Sequence, residues 1–321
     1  MIRNLEAKNA QPFTFTWDQG IDLSGTTILA FGGSGNLAEV FLYAAAASGA
    51  QVAIGDMPPA DTEKKRAYLE KLGGIVANIN DIAGYSPLVI DVDVTDAAAV
   101  VAATEAAKER LGRIDIGIDF AGIHHRTFDL TEDDPKELAE IFRRVIEVNV
   151  NGAFLATTAL ARVMVPQRKG HIIHLCSSGS RLSLYASYAY NASKHALEGI
   201  VKTSAAQLAP YGVRVNAIAP GTVITNLNRD LLQDETGEYR PRAKSILAHT
   251  PTKRFLSREG IAESLLGMCV PQRHLTGNVI FADDGYNIEG HSWPDGNMAL
   301  YAGAAELEEL LSSIGTPAAK G

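Results

Sequence analysis

The chain is short of cysteine and of basic charge, and each shortage excludes a class of protein. Two cysteines in 321 residues, Cys176 and Cys269, make no disulfide framework, so the chain reads as a reduced cytoplasmic protein. Lys and Arg number 29 against 37 Asp and Glu. A net charge of -8 argues against general binding to nucleic acid or to an anionic membrane, since both need a basic surface. No apolar run reaches the roughly 18 residues of a membrane span. The opening residues, MIRNLEAKNAQPF, have no apolar signal-peptide core. Pro/Gly/Ser-rich linkers and internal repeats are also missing. Residues 1–290 are therefore expected to form one dinucleotide-binding domain, and residues 291–321 an appended extension. That extension carries one amphipathic helix near 304–312, which, with Trp293 and Tyr301, is expected to dock rather than hang free.

What the chain does have is alternation. Short β-branched runs at Thr27–Phe31, 51–55, 88–92, 114–120, 171–176, 213–217 and 278–282 are separated by helical stretches. These lie at 36–48, 61–72, 96–111, within 132–165, at Tyr188–Leu208 and at 261–269. Strands divided by helices of that length imply parallel pairing with right-handed crossovers. The expected fold is an α/β, Rossmann-like, doubly wound sheet whose ligand crevice lies at the carboxyl ends of the strands. Segments 75–87 and 229–249 are less regular and are expected to lie outside the central sheet.

Gly32-Gly33-Ser34-Gly35-Asn36-Leu37 lies between the first strand and its helix. Glycines there let the backbone turn tightly against a pyrophosphate, which then sits on the free N–H groups of the helix start. Asp56 ends the second strand, 24 residues after Gly32. A carboxylate at that point accepts hydrogen bonds from the adenosine ribose hydroxyls and repels a 2′-phosphate, which selects NAD. No Arg occupies Ser34, Gly35 or Met57 to offset it. The alternatives for the two features are a structural turn and a surface Asp before Pro58-Pro59.

Tyr190-Asn191-Ala192-Ser193-Lys194 falls in a helical stretch, and a spacing of four puts Tyr190 and Lys194 on one face. A free phenol titrates near about 10, so it is a poor base at neutral pH. A neighbouring ammonium and a positive nicotinamide ring favour the phenolate, which then accepts an alcohol proton as hydride leaves. Tyr185 and Tyr188 are rivals without a Lys four residues on. Ser177 precedes Tyr190 by thirteen residues and follows a buried strand at its carboxyl end, where a hydroxyl can hold the substrate oxygen. Asn149 is a polar residue in an apolar helical segment; read alone, it is a satisfied helix amide.

Taken together, these residues resemble the short-chain dehydrogenase/reductase family in its compact, single-domain branch, over roughly residues 23–286. Asn149, Ser177, Tyr190 and Lys194 match its catalytic tetrad in order and spacing. The resemblance implies that Lys194 also holds the nicotinamide ribose, and that Asn149 helps relay the proton through water. It places Asp93 and Val94 at the adenine, and Ala121 and Gly122 beside the cofactor. Pro220, Gly221, Val223 and Thr225 come under the nicotinamide. It also implies a homotetramer or homodimer. The chain departs from the family's glycine turn: Phe31 stands where a Thr hydroxyl would brace the loop, and Asn36 and Ala38 replace glycines. Asp119 stands for an Asn and cannot donate hydrogen bonds as an Asn does.

A narrower resemblance concerns the substrate. Thr225-Asn226-Leu227-Asn228-Arg229, Ile246-Leu247-Ala248-His249-Thr250-Pro251, Arg254-Phe255 and His124-His125 are similar to the D-mannonate oxidoreductase (fructuronate reductase) branch. It implies a sugar-acid substrate, and basic residues gathered in the segments expected around the crevice of this acidic chain, Arg126 with His125, Arg181, Arg229 and Arg254, suit its carboxylate, Arg229 first and Arg254 second. Two other readings compete: a nucleotide-sugar epimerase or dehydratase of the extended branch, and an NAD-binding sensor without turnover. The thirteen-residue Ser–Tyr spacing disfavours the first and the complete tetrad the second. Adjacent histidines on one loop with no third ligand at a recognisable spacing give no metal site. Cys176 reads as a small buried hydrophobe rather than a nucleophile.

Overall fold

The computed structural model describes residues 2–3, 20–184, 186–271 and 274–288; the extension expected at 291–321 lies outside them. Each of the seven apolar runs becomes a strand, and a two-residue strand, β1 (Ile2–Arg3), precedes them: β2 (Thr27–Phe31), β3 (Gln51–Asp56), β4 (Leu88–Asp91), β5 (Ile116–Asp119), β6 (Gly170–Leu175), β7 (Val213–Pro220) and β8 (Val279–Ala282). The sheet order is β1-β4-β3-β2-β5-β6-β7-β8. Strands β2 to β8 pair in parallel, and the two-residue β1 runs antiparallel to β4 at the edge. Strand order reverses between β2 and β5, which opens the crevice typical of doubly wound sheets.

Helices α1 (Asn36–Ala47), α2 (Thr62–Ala83), α3 (Ala97–Leu111), α4 (Pro135–Ile146), α5 (Gly152–Gln167), α6 (Tyr188–Leu208) and α9 (Arg258–Cys269) cover both faces of the sheet. Side chains at the N-caps set several of their starts: Asp61, Asp96, Asp134 and Ser257 each accept a backbone N–H of the first turn. Two apolar clusters, one per face, form the core. One holds Phe41, Ile54, Ile75, Ile118 and Leu265; the other holds Phe31, Leu160, Met164, Ile172 and Val215.

The structure corrects two readings. Segment 75–87 is not irregular through its length: α2 runs on to Ala83, and Leu72, Ile75, Val76 and Ile79 bury against α1. Gly73-Gly74 interrupts the apolar period there but not the helix, because the stripe on either side stays on one face. The single helix expected within 132–165 is two helices joined by a π turn at Glu147–Asn151. Together they give one long apolar element, Pro135–Gln167, half of whose most apolar window is buried inside the fold. Segment 229–249 folds as two short helices off the sheet, α7 (Arg229–Leu232) and α8 (Pro241–His249), which lie over the crevice.

Candidate active site

Register brings the sequence motifs to one edge. Phe31 pairs with Gly55 and with Asp119, Asp56 with Asp91, Asp119 with His174, and Leu175 with Ile218. The glycine turn, Asp56, the Asp93 turn, the Asp119–Gly122 segment, Ser177 and Pro220 thus follow neighbouring strand ends. Gly32 is required at its position. Its φ is +69°, and a Cβ there would lie 2.7 Å from the backbone N of Ala121. Gly35 caps α1 without any side-chain hydrogen bond, which leaves the first N–H groups of that helix for an anion. Phe31 carries no brace for the turn; it is fully buried and packs under Gly55.

The bracing comes from elsewhere. Ser34 N donates to Asp56 Oδ2 (2.7 Å), and Lys71 Nζ reaches from α2 to Ser34 O (2.5 Å) while lying 3.4 Å from Glu39 Oε2. Reading residues 34, 35 and 57 alone misses this ammonium, because its partner is 37 positions away. Asp93 shapes its own turn by accepting from Thr95 N and Oγ1 (2.9 and 2.7 Å), and Val94 packs against Gly152. Asp119 has found a partner suited to an acceptor. Its Oδ1 takes Ala121 N (3.0 Å), and its Oδ2 faces Nδ1 of the fully buried His174 (3.4 Å), whose Nε2 meets Thr157 Oγ1 (2.9 Å).

Tyr190, Lys194 and Ser177 converge on one cleft, together with Leu37, Gly122, Pro220, Gly221, Val223 and Thr225. Lys194 is buried; its Nζ donates to Leu175 O (2.6 Å) and stands 5.5 Å from the Tyr190 ring centroid. Ser177 caps a short 3₁₀ turn, its Oγ accepting Gly179 N (3.1 Å). Asn149 lies in the π turn, 1% exposed. Its Oδ1 accepts Ile123 N (2.8 Å), and its Nδ2 donates to Ile123 O and Ser193 Oγ (3.0 Å each). The amide therefore ties the loop after β5 to the helix bearing Tyr190 and Lys194. Both of its N–H donors are spent in that tie.

The expected substrate residues are not where sequence placed them. His125 has both ring nitrogens engaged, Nδ1 on Arg126 O (2.5 Å) and Nε2 accepting Tyr190 N (3.3 Å), and it stacks on Phe128. Its neighbour His124 lines the cleft instead, with its ring 4.5 Å from that of Tyr190; burial holds its pKa down to about 4. Arg229 is exposed and does not line the cleft, and Arg254 points to solvent in an ion pair with Asp284 (3.1 Å). The sequence argument used proximity to matched segments, which does not fix direction. Arg242, the second residue of α8, is the arginine that lines the cleft. Cys176 is 2% exposed at the cleft floor, and burial pushes its thiol up to about 11, as expected of an inert cysteine.

Known proteins resemble this chain over most of its length. Residues 37–287 match a family model described as enoyl-(acyl carrier protein) reductase; the match begins just after the atypical glycine turn. The chain is 32% identical to momilactone A synthase of Oryza sativa subsp. japonica over 68% of its length and 82% of that protein. It is 32% identical to 2-(S)-hydroxypropyl-CoM dehydrogenase 3 of Xanthobacter autotrophicus, over 82% of this chain and 96% of that one. Among solved structures, levodione reductase superposes with a TM-score of 0.72 at 25% identity, covering 83% of this chain and 99% of that one.

Proposed function

As the chain belongs to the short-chain dehydrogenase/reductase family and is an oxidoreductase of alcohols and ketones, we propose that it is NAD-dependent and uses Tyr190 as its proton-transfer group. The carrying observation is the convergence of Tyr190, Ser177 and Lys194 on one cleft at the switch point of the sheet. The family's nicotinamide dinucleotide fits the residues present. The uncapped start of α1 suits the pyrophosphate, Asp56 the adenosine ribose, Asp93 and Val94 the adenine, and Lys194 with Pro220, Gly221, Val223 and Thr225 the nicotinamide end. The bound cofactor takes or returns a hydride.

The chain's own residues handle the proton. Ser177 Oγ holds the substrate oxygen, and the Tyr190 hydroxyl takes its proton on oxidation or returns it on reduction. Lys194, buried 5.5 Å from the Tyr190 ring, favours negative charge developing on that oxygen. Asn149 is a positioning residue: it fixes α6 against Ile123 through Ser193. For the substrate, the finer proposal is a hexonate sugar acid or its keto form. The support is a cleft that offers His124, Ser178, Thr222 and Arg242 to a polar ligand.

The test is steady-state kinetics on paired polyols and sugar acids with both cofactors. Asp56 is expected to give NAD at least about a tenfold advantage in kcat/KM, roughly 1.4 kcal/mol. Equal efficiency with NADP would remove the cofactor assignment.

A further inference from the structure

The cleft differs in charge from the protein around it. The chain carries a net charge of -8. Yet among the described residues lining the cleft there is no Asp or Glu, and the formally charged side chains are Lys194 and Arg242. Lys194 is committed to Leu175 O and to the neighbourhood of Tyr190. Arg242 is less fully used. Its guanidinium is half-buried, and Nη2 donates to Ser187 Oγ (3.2 Å), while Nη1 is buried with no hydrogen-bond partner. The ion pairs of arginine among the described residues involve Arg66, Arg113, Arg126, Arg181 and Arg254, not Arg242.

A guanidinium with a buried, unmatched N–H and no counter-charge is costly to keep in a fold. At the mouth of a reactive cleft, a ligand anion removes that cost. The structure assigns Arg242 as the anchor for an anionic group of the substrate, a carboxylate, and makes α8 the element that selects it. The assignment rests on the oxidoreductase reading above. A planar fork matches a carboxylate through two parallel hydrogen bonds. Apolar residues Leu184, Leu231 and Ile246 on the same cleft thin the water around the pair and strengthen it. Geometry also places the anchor at the reacting end of the site rather than at the adenosine end. Ser187, which fixes Arg242, is the N-cap of α6 and precedes Tyr190 by one helical turn. The glycine turn and Asp56 are at the ends of β2 and β3.

The experiment uses two substrate pairs, D-mannonate with D-mannitol and 3-hydroxybutyrate with 2-butanol, on wild type, Arg242→Gln and Arg242→Lys. It reads kcat/KM with NAD, the calorimetric Kd of each probe for the NADH complex, and the Kd of NADH itself. Wild type should favour the anion in at least one pair. Arg242→Gln should lose about 10²-fold on that anion and less than about twofold on its neutral partner, with Arg242→Lys between them. NADH binding should be unchanged in both variants, which also shows that they are folded. Preference for the neutral member of both pairs, or equal losses on anion and neutral, would overturn the anchor. Either result leaves the oxidoreductase reading standing if Tyr190-dependent turnover of any probe persists. Binding of D-mannonate that depends on Arg242 but leads to no turnover would support the anchor and count against alcohol oxidation.

Discussion

The two ends of the central strands bury polar groups equally well and use them differently. At the amino end, Asp115 is 6% exposed and accepts from Thr27 N and Oγ1 (3.2 and 3.1 Å), while Arg113 and Lys169 pair with its other oxygen. His171 sits between Arg214 and Asn216 (2.9 and 2.8 Å), and Asn216 also holds Leu275 O and Asn278 N. Asp115, His171 and Asn216 are thus answered from within the chain. At the carboxyl end, Tyr190 and Ser177 open their hydroxyls to the cleft, and Arg242 keeps an unanswered N–H. Strand β6 spans the contrast, with His171 at one end and Ser177 just beyond the other. Burial of polar groups does not by itself distinguish stability from function; satisfaction within the chain does.

The sharpest way to test that division is to remove a hydroxyl from one end and a carboxylate from the other. Tyr190→Phe should reduce kcat by about 10²–10⁴-fold, with NADH affinity and Tm close to wild type, because only the proton-transfer group is lost. Asp115→Ala should do the reverse. It strands the Thr27 N–H and hydroxyl and costs about 3 kcal/mol of unfolding free energy, with kcat little changed in the folded fraction. Denaturant titration alongside single-temperature kinetics measures both. If Asp115→Ala removed activity without loss of stability, the amino end would have a functional role and the contrast would break.

A further effect on stability alone comes from pH. Burial, helped by the Arg214 charge, holds the His171 pKa down at about 3, against an ordinary value near 6.5. Above pH 6.5 the imidazole is neutral in both states and contributes no slope. Below it, the unfolded chain takes up a proton that the folded chain refuses until about pH 3. Stability should therefore fall with acidification across that window, by up to about 1.4 kcal/mol per pH unit for this group. His171→Gln should lower stability at pH 7.5 yet show a shallower acid decline. An unaltered acid slope would mean that His171 is not the group responsible.

The same contrast explains how much could be read from the sequence. The strands were legible because a period is local, and a spacing of four and a carboxylate closing a strand likewise marked Tyr190, Lys194 and Asp56 as candidates, whereas Asn149 and Ser177 joined them as a set only through the family resemblance. The tie from Asn149 to Ile123 and Ser193 was not, since it depends on a π turn that no periodicity announces. His174 could have been noticed as a polar residue in an apolar strand, but its match to Asp119 needs the β5–β6 register. The substrate side was least legible. Arg229, Arg242 and Arg254 are equally good arginines in sequence; only the path of α7 and α8 turns one inward and leaves two in solvent.

Lys71 is a borderline case between the two ends and gives the finest test. It lies on the cofactor side, but its contacts are all internal: Ser34 O at 2.5 Å and Glu39 at 3.4 Å. With Asp56 holding the N–H of the same residue, Lys71 clamps the glycine turn, where Phe31 supplies no bracing hydroxyl. Its side chain is 34% exposed, so solvent screens the pair and the contribution should be modest. Lys71→Met should weaken NADH binding by about three- to fivefold, roughly 0.6–1 kcal/mol, with kcat at saturating cofactor unchanged. The same variant separates bracing from charge at the ribose. If the clamp is the role, affinity for NADH and NADPH should fall by the same factor. If the ammonium instead offsets Asp56, NADPH should lose more than NADH, and the discrimination attributed to Asp56 would then have been measured against a partly neutralised carboxylate. A fluorescence titration of both cofactors on wild type and Lys71→Met decides between them.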